Sequence, residues 1–218
     1  MAHTYRFLLS AALSISLIVP AIAQPGSNDP TFNTADLGFG NGEGVMGTVR
    51  GMALQPDGKV VVCGEFDRVQ GSVRHKVARL NADGSIDPTF VPAPDYDGYA
   101  TNVAVQSDGK VLVLGYFWMF NGDPAPSLMR LNADGGVDPT FTIGWVSEVA
   151  EALAIRSDGK ILVGGGFTTY NGMGMNCIAR LNADGSLDAS FNPGTGASST
   201  VLSTAVQADG KIIIGGSF

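Results

Sequence analysis
Histidine and cysteine are nearly absent from the chain, with two of each among 218 residues, and the 13 Lys and Arg are outnumbered by 20 Asp and Glu. Each scarcity excludes something. An acidic surface does not attract nucleic acid phosphates, and no Lys/Arg cluster breaks the balance, so DNA and RNA are not expected partners. His3 lies at the extreme N-terminus, and His75 stands between Arg74 and Lys76 with no carboxylate partner implied, so it reads as a solvated loop or strand-edge residue rather than a general base. Cys63 and Cys177 fall in non-neighbouring copies of the pattern described below, which predicts no contact between them. They read as small buried hydrophobes rather than as a disulfide. Neither a glycine-rich phosphate loop ahead of a helix nor a nucleophile elbow occurs, and Gly165-Gly166 belongs to a strand.

Long apolar runs are also missing, apart from Phe7 to Val19, which follows His3 and Arg6 and leads into Pro20 and the small-residue site Ala21-Ile22-Ala23. At about thirteen residues this run is shorter than the roughly twenty that a transmembrane helix needs. Its flanks are those of a cleavable secretory signal. Residues 1–23 are therefore expected to be removed, leaving Gln24 as the N-terminus of a secreted, periplasmic or cell-surface chain without a membrane span.

What the chain does have is a repeat. Asp-Gly-Lys begins at Asp57, Asp108, Asp158 and Asp209, and Arg-Leu-Asn begins at Arg79, Arg130 and Arg180, both at intervals of 50 or 51 residues. A third anchor, Asp-Pro-Thr-Phe or its variant, begins at Asp29, Asp87, Asp138 and Asp188; its first interval is 58 because the Gly- and Asn-rich stretch after Phe32 carries a loop insertion. The copies divide the chain into 33–90, 91–141, 142–191 and a partial 192–218.

Each copy reads as four short strands. Strand one alternates apolar residues around Ala53, Ala104, Ala154 or Ala205, as a strand approached closely on both sides would. Strand two is a continuous apolar run from Lys59 to Phe66 and its copies, with Gly64, Gly115, Gly165 and Gly216 in one column marking a bulge or a tight approach. Strand three ends in Arg-Leu-Asn. Strand four is the Asp-Pro-Thr-Phe segment, whose proline suits an edge. Gln55-Pro56-Asp57-Gly58-Lys59 and Asn81-Ala82-Asp83-Gly84-Ser85 are turn sequences with glycine at the left-handed position. If Asn81 faces Ser85, then Leu80 faces Ile86 and Arg79 faces Asp87, a register built into the hairpin, with Phe90 as an aromatic plug. The same alignment makes Val146 to Ile155 a strand in its second half, although Glu148, Ala150, Glu151 and Ala152 favour a helix locally.

A fifty-residue unit of antiparallel strands cannot bury both faces alone, and stacking copies about an axis solves this. The pattern QPDGKVVVCGEF followed by ARLNADGSIDPTF resembles the delta-60 repeat family of bacteria. The resemblance covers essentially all of residues 24–218. It implies an all-β fold, a β-propeller of four-stranded antiparallel blades, together with export; it brings no catalytic residue and no assigned activity. Strand three of the second copy departs from the others, with Leu128-Met129 where they have Val77-Ala78 and Ile178-Ala179. Since the sequence stops after strand two of the fourth copy, the expectation is a piece of a longer propeller or an open arc of about three and a half to four blades, a closed four-bladed ring being the alternative.

Successive connections of a meander alternate between its two ends, so the Asp-Gly turns share one face of the disc and the longer, variable links share the other. Variable loops on a rigid scaffold are where binding usually resides. Those links hold Tyr96, Tyr99, Trp118, Phe120, Trp145 and Tyr170, the candidate binding residues for a protein or glycan ligand. Phe120 and Tyr170 align with Val69 and read rather as packing beneath a loop, whereas Trp118 and Trp145 have no counterpart in the other copies and are the stronger candidates. The columns Asp57, Asp108, Asp158, Asp209, with Arg79, Arg130, Arg180 and Asp87, Asp138, Asp188, recur in every copy and read as structural, since a catalytic pair is needed only once. No enzyme activity and no cofactor is expected. Two alternatives stand beside a binding or scaffold module. One is a fragment of a polysaccharide-active hydrolase or lyase. The other is a calcium-stabilised repeat, suggested by oxygen side chains at Asn81, Asp83, Ser85 and Asp87, although the glycine is misplaced for an EF-hand loop and the closing Glu is missing.

Overall fold
The computed structural model describes residues 44–92, 96–120, 123–124 and 126–218; the signal segment and the copy at Asp29 lie outside the described residues. The first blade comprises β1 (Val45–Leu54), β2 (Val60–Val69), β3 (Ser72–Val73) and β4 (Val77–Leu80), and the second β5 (Tyr96–Val105), β6 (Val111–Phe120), β7 (Asp123–Pro124) and β8 (Leu128–Leu131). The third comprises β9 (Ala150–Ile155), β10 (Ile161–Gly165), β11 (Thr169–Tyr170), β12 (Met173–Gly174) and β13 (Ile178–Leu181), and the fourth begins with β14 (Val201–Val206) and β15 (Ile212–Gly216). In each of the first three blades the second strand is central, pairing antiparallel with the first strand on one side and the Arg-Leu strand on the other. The segment after Val146 is strand from Ala150, as the repeat alignment requires.

Turn chemistry sets the hairpins. In the first, the amide of Gly58 donates to the Gln55 carbonyl at 3.0 Å, Gln55 N–H donates to Lys59 O at 2.8 Å, and the Asp57 carboxylate accepts from the Lys59 amide at 3.1 Å. Gly58 has φ of +84°, which glycine adopts without Cβ strain. The glycine column does both things expected of it. Each first strand bulges beside it, at Val49/Gly51, Ala100/Asn102 and Val201/Ser203, and opposite Gly164/Gly165 in the third blade. A Cβ on Gly64 or Gly165 would run into the Thr48 or Val149 carbonyl of the paired strand.

Strand four is the principal correction. It pairs through one residue only, as the isolated bridges Leu80–Ile86, Leu131–Val137 and Leu181–Leu187. The chain then turns, because Asp87 Oδ1 accepts from the Thr89 amide at 2.9 Å and its hydroxyl at 2.6 Å, closing an Asx-type turn over Pro88, which has no N–H for a ladder. The blades are therefore three full strands and a one-residue rim. The sequence reading also lacked the short hairpins beyond the second strands, where Gln70-Gly71 and Asn171-Gly172 take positive φ at both positions, the turn that suits the twist of a hairpin.

Stacking supplies the core. First strands of successive blades lie side by side, β1 against β5, β5 against β9 and β9 against β14. Val61, Cys63, Val77 and Phe90 of blade one pack on Val103, Val113, Met129 and Leu131 of blade two; Leu112, Leu114 and Leu128 of blade two pack on Leu153, Ile161, Val163 and Leu181 of blade three. The described blades form an open arc. On the outward face of its first blade Met52 is 70% exposed, whereas Val103 and Leu153, its counterparts, are 4% and 9% exposed inside inter-blade cores. Removing such side chains from water is what holds sheets this small together.

Candidate functional site
At the Asp-Gly end the repeated polar residues converge. Asp87 Oδ2 accepts from Arg79 Nε at 2.8 Å, confirming the register expected across the hairpin, and also from Lys59 Nζ at 2.9 Å. The geometry recurs at Asp138 with Arg130 and Lys110, and at Asp188 with Arg180 and Lys160. The lysines of the first three Asp-Gly-Lys turns and the arginines of the three Arg-Leu-Asn strands thus meet in pairs on one carboxylate each, which is why both anchors keep the same period, whereas Lys211 of the fourth turn pairs with Asp209 beside it. Asp57, Asp108, Asp158 and Asp209 have the humbler task of accepting from the amide two residues on. Each guanidinium also lies over an aromatic ring, Arg79 over Phe90 at 4.8 Å, Arg130 over Phe141 and Arg180 over Phe191 both at 4.7 Å. Arg79 and Arg130 reach further, donating to Ala133 O and Ala183 O in the next blade's turn. Burial alone would raise the Asp87 carboxyl, but hydrogen bonds from Thr89, Lys59 and Arg79 overcome it and hold the group well below the usual range. Asp138 and Asp188 are lowered in the same way, chiefly by the ammonium of Lys110 or Lys160. These are structural clusters. The carboxylates of the candidate calcium motif have protein partners, Asp83 accepting from Ser85 and Asp87 from Arg79 across the hairpin and Lys59 of the preceding turn.

The opposite end is aromatic. Tyr99 and Tyr116 are direct cross-strand partners on β5 and β6, and Trp118 follows two residues later on the same face of β6. Their rings are 6.1 Å and 5.9 Å apart, the second contact edge-to-face. Arg50 of blade one lies 4.5 Å over the Tyr99 ring and pairs with Glu65 at 3.4 Å, so the series begins in the neighbouring blade. Trp118 is 59% exposed and Tyr116 39% exposed, which is unusual for such large rings. Across a crevice of about 580 Å³ stands Trp145, with Ser127 and Glu148 also on its walls. Volumes of that order are typical of small-ligand sites.

Trp145 is held from behind. Its amide donates to Asn171 Oδ1 at 2.7 Å, and its carbonyl accepts from the Asn171 amide at 2.8 Å. Asn171 can do this because it sits in the left-handed turn position with φ of +48°. Tyr170, beside it, is fully buried, with Gly144 leaving room for its hydroxyl. Tyr170 therefore leaves the list of candidate binding residues, since the same alternation that exposes Trp145 turns it into the core. Tyr96 and Phe120 are backbone partners at the far end of β5 and β6, and their side chains lie outside the described residues. Tyr116, a departure of the second copy beside Gly115, and Asn171 are not among the binding residues that the sequence suggests. An Asn-Gly pair after an apolar run was the available signal for Asn171, and the i, i+2 spacing to Trp118 was the signal for Tyr116.

The Tyr170 hydroxyl has no hydrogen-bond partner among the described residues, and burial pushes its pKa upward. Tyr170→Phe is expected to leave the fold intact and raise stability by up to about 1 kcal/mol, because an unsatisfied buried hydroxyl is removed. Urea unfolding at neutral pH measures this, and a destabilised variant would mean that the hydroxyl is satisfied.

Two further residues differ from expectation. His75 does have a carboxylate neighbour, Asp67 Oδ1 at 3.3 Å, but that oxygen also accepts from Lys76 Nζ at 2.8 Å. The Lys76 hydrogen bond is the main cause of the lowered Asp67 carboxyl. Cys63 and Cys177 are buried free thiols; burial pushes Cys63 up to about 12, against nucleophilic use. No cluster of three or more His, Cys, Asp or Glu suited to a metal occurs among the described residues. No helix of those residues is long and apolar enough to cross a membrane.

Repeated antiparallel sheets stacked through their first strands, with Asp-Gly turns at one end and variable links at the other, define a β-propeller protein. The chain belongs to the family described as "Domain of unknown function (DUF5122) beta-propeller", which matches residues 55–90, 106–141, 156–191 and 207–218. That family is of the delta-60 repeat type. No curated protein sequence matches the chain. Among solved structures, the PQQ-bound aldose sugar dehydrogenase of Streptomyces coelicolor is similar at 16% identity and a TM-score of 0.46, over 79% of this chain and 57% of that one. A gluconolactonase of Xanthomonas campestris is similar at 14% identity and a TM-score of 0.39, over 77% and 69% of the two chains. At this distance neither protein's substrate transfers to the chain.

Proposed function
We propose that the chain is an exported, non-enzymatic binding module that holds a glycan against the aromatic end of its blades. The observation that carries this reading is the exposed pair Tyr116 and Trp118, with the half-buried Tyr99 behind Tyr116, sharing one crevice with Trp145. A pyranose ring has apolar faces and a hydroxyl rim, and aromatic walls with Ser127 and Glu148 between them complement both. A protein ligand would also use tryptophans, but a walled crevice suits a narrow polymer better than a flat interface. The acidic composition agrees with a ligand other than a polyanion.

Trp118→Ala and Trp145→Ala are each expected to weaken binding to a neutral polysaccharide at least tenfold, the loss of one well-placed aromatic contact. Both side chains are substantially exposed, so melting temperature should not move. Affinity electrophoresis through gels containing β-glucan, xylan or chitin derivatives reads the effect. Retardation on none of them, or variants retarded like the wild type, would remove the glycan reading. Release of new reducing ends would instead make the chain an enzyme.

A further inference from the structure
The crevice recurs one blade further on. Counting from the aligned Phe117 and Phe167, Trp118 corresponds to Thr168 and Tyr116 to Gly166; counting from Phe141 and Phe191, Trp145 corresponds to Thr195; Ser127 corresponds to Cys177. Gly166, Thr168, Cys177 and Thr195 do line a second crevice, of about 780 Å³, between blades three and four. Its backbone is also held by an asparagine, though not by the counterpart of Asn171: Asn176 Nδ2 donates to Thr195 O at 2.9 Å, and Ala197 N–H donates to Asn176 O at 3.2 Å. The two crevices are thus the same place in successive repeats with different linings, aromatic in one and rich in hydroxyls in the other. Ser198, Ser199 and Thr200 complete the second.

One residue lines both. Glu148 is on the wall of each crevice and is exposed. It makes no ion pair among the described residues, and neither lining contains Lys, Arg or His. Gly166, standing where blade two has Tyr116, leaves the space beside it open: a Cβ there would be 3.4 Å from Glu148 Oε2 and 3.3 Å from Thr200 Oγ1. The carboxylate therefore lies at the passage between the aromatic and the hydroxyl-rich crevice. Its charge reaches the second, where, after burial, it is a further cause of the raised Cys177 thiol.

We propose that the ligand is a linear glycan carrying free amino groups, bound along both crevices with an ammonium on Glu148. This rests on the glycan reading above. An unpaired carboxylate at the midpoint of an otherwise uncharged track favours a cationic substituent there and disfavours uronic-acid polymers. Sugar faces would lie on Trp118 and Trp145 in the first crevice, and rim hydroxyls on Thr168, Thr195 and Thr200 in the second.

Titration calorimetry on the full chain decides this, with a β-1,4-linked glucosamine hexamer, its fully N-acetylated counterpart and oligogalacturonate as probes. The glucosamine hexamer is expected to bind roughly tenfold more tightly than the acetylated one, as a charge-assisted hydrogen bond warrants. The ratio should shrink as salt is raised. Glu148→Gln should bring it close to one while leaving the melting temperature unchanged. Equal affinities for the two hexamers, a ratio that survives Glu148→Gln, or preferred binding of oligogalacturonate would overturn the amino-glycan inference and leave the glycan reading in place. Failure of every saccharide to bind would bring down both.

Discussion

Asp138→Ala is expected to lower the stability of the chain by about 3–5 kcal/mol, the cost of stranding a buried charge. Asp138 is 4% exposed, and its Oδ2 receives Lys110 Nζ at 2.7 Å and Arg130 Nε at 2.8 Å, while Oδ1 closes the turn to Thr140. Alanine would remove the acceptor from all of these donors. Arg130, 8% exposed over the Phe141 ring, would keep its charge without a counter-ion. Since a folded domain has only about 5–15 kcal/mol in hand, much of the margin would go. Urea midpoints followed by circular dichroism measure the loss. Asp134→Ala is the control: this carboxylate only accepts from the Gly136 amide in an exposed turn, and its removal should cost under about 1 kcal/mol. If the two variants melt alike, the cluster is ornamental and the stacking of blades alone sustains the fold.

Acid should unfold the chain through the same groups. Asp87, Asp138 and Asp188 all titrate below the ordinary carboxylate value, held there against desolvation by lysine, arginine and hydroxyl donors. A depressed carboxyl contributes stability that is complete above its unfolded pKa of about 3.9 and is lost as pH falls from there toward the folded value. Melting temperature is therefore expected to be nearly flat between pH 7 and pH 5 and to fall steeply below about pH 4. Glu151 acts in the opposite sense, because burial raises its pKa and acidification relieves the penalty, but it is one group against these three strongly depressed ones and five others, Asp67, Asp83, Asp158, Asp184 and Asp209, that are also lowered. Thermal melts from pH 7 to pH 2.5 test this, and a melting temperature that holds below pH 3 would contradict it. Asp138→Asn should flatten the acid limb, since one of the three linked protons is gone.

Much of this was readable before any coordinates. Period, turn residues and the Arg79 to Asp87 register all follow from local spacing, because a two-sided hairpin leaves few ways to align Asn81 with Ser85. The share of Lys59 in that cluster was hidden: it is 28 residues from Asp87, and the two meet only because β2 pairs with β4. The Asp-Pro-Thr sequence suits an edge strand, yet Asp two residues before Thr is equally an Asx-turn signal, and the side-chain bonds to Thr89 win over the ladder. For the aromatic end, composition pointed to Trp118 and Trp145 but said nothing of their facing each other across a crevice. That juxtaposition depends on how blade three stacks against blade two, which no single repeat encodes. Tyr170 differs from Trp145 in exposure because Gly144 leaves it space, a pairing 26 residues apart that alignment of the copies does not reveal.

The bonds from Arg79 to Ala133 O and from Arg130 to Ala183 O have an evolutionary corollary. Donor and acceptor occupy fixed places in the same fifty-residue unit, so any unit can be the left-hand or right-hand neighbour of any other. Duplication or deletion of one whole unit of DNA, by unequal recombination between such similar stretches, would leave every remaining junction with both of its halves. Copy number can thus drift without repair mutations at the seams. Links such as the one bearing Trp145 are then free to diverge unit by unit, each new copy beginning as a spare crevice on which selection for a different ligand can act.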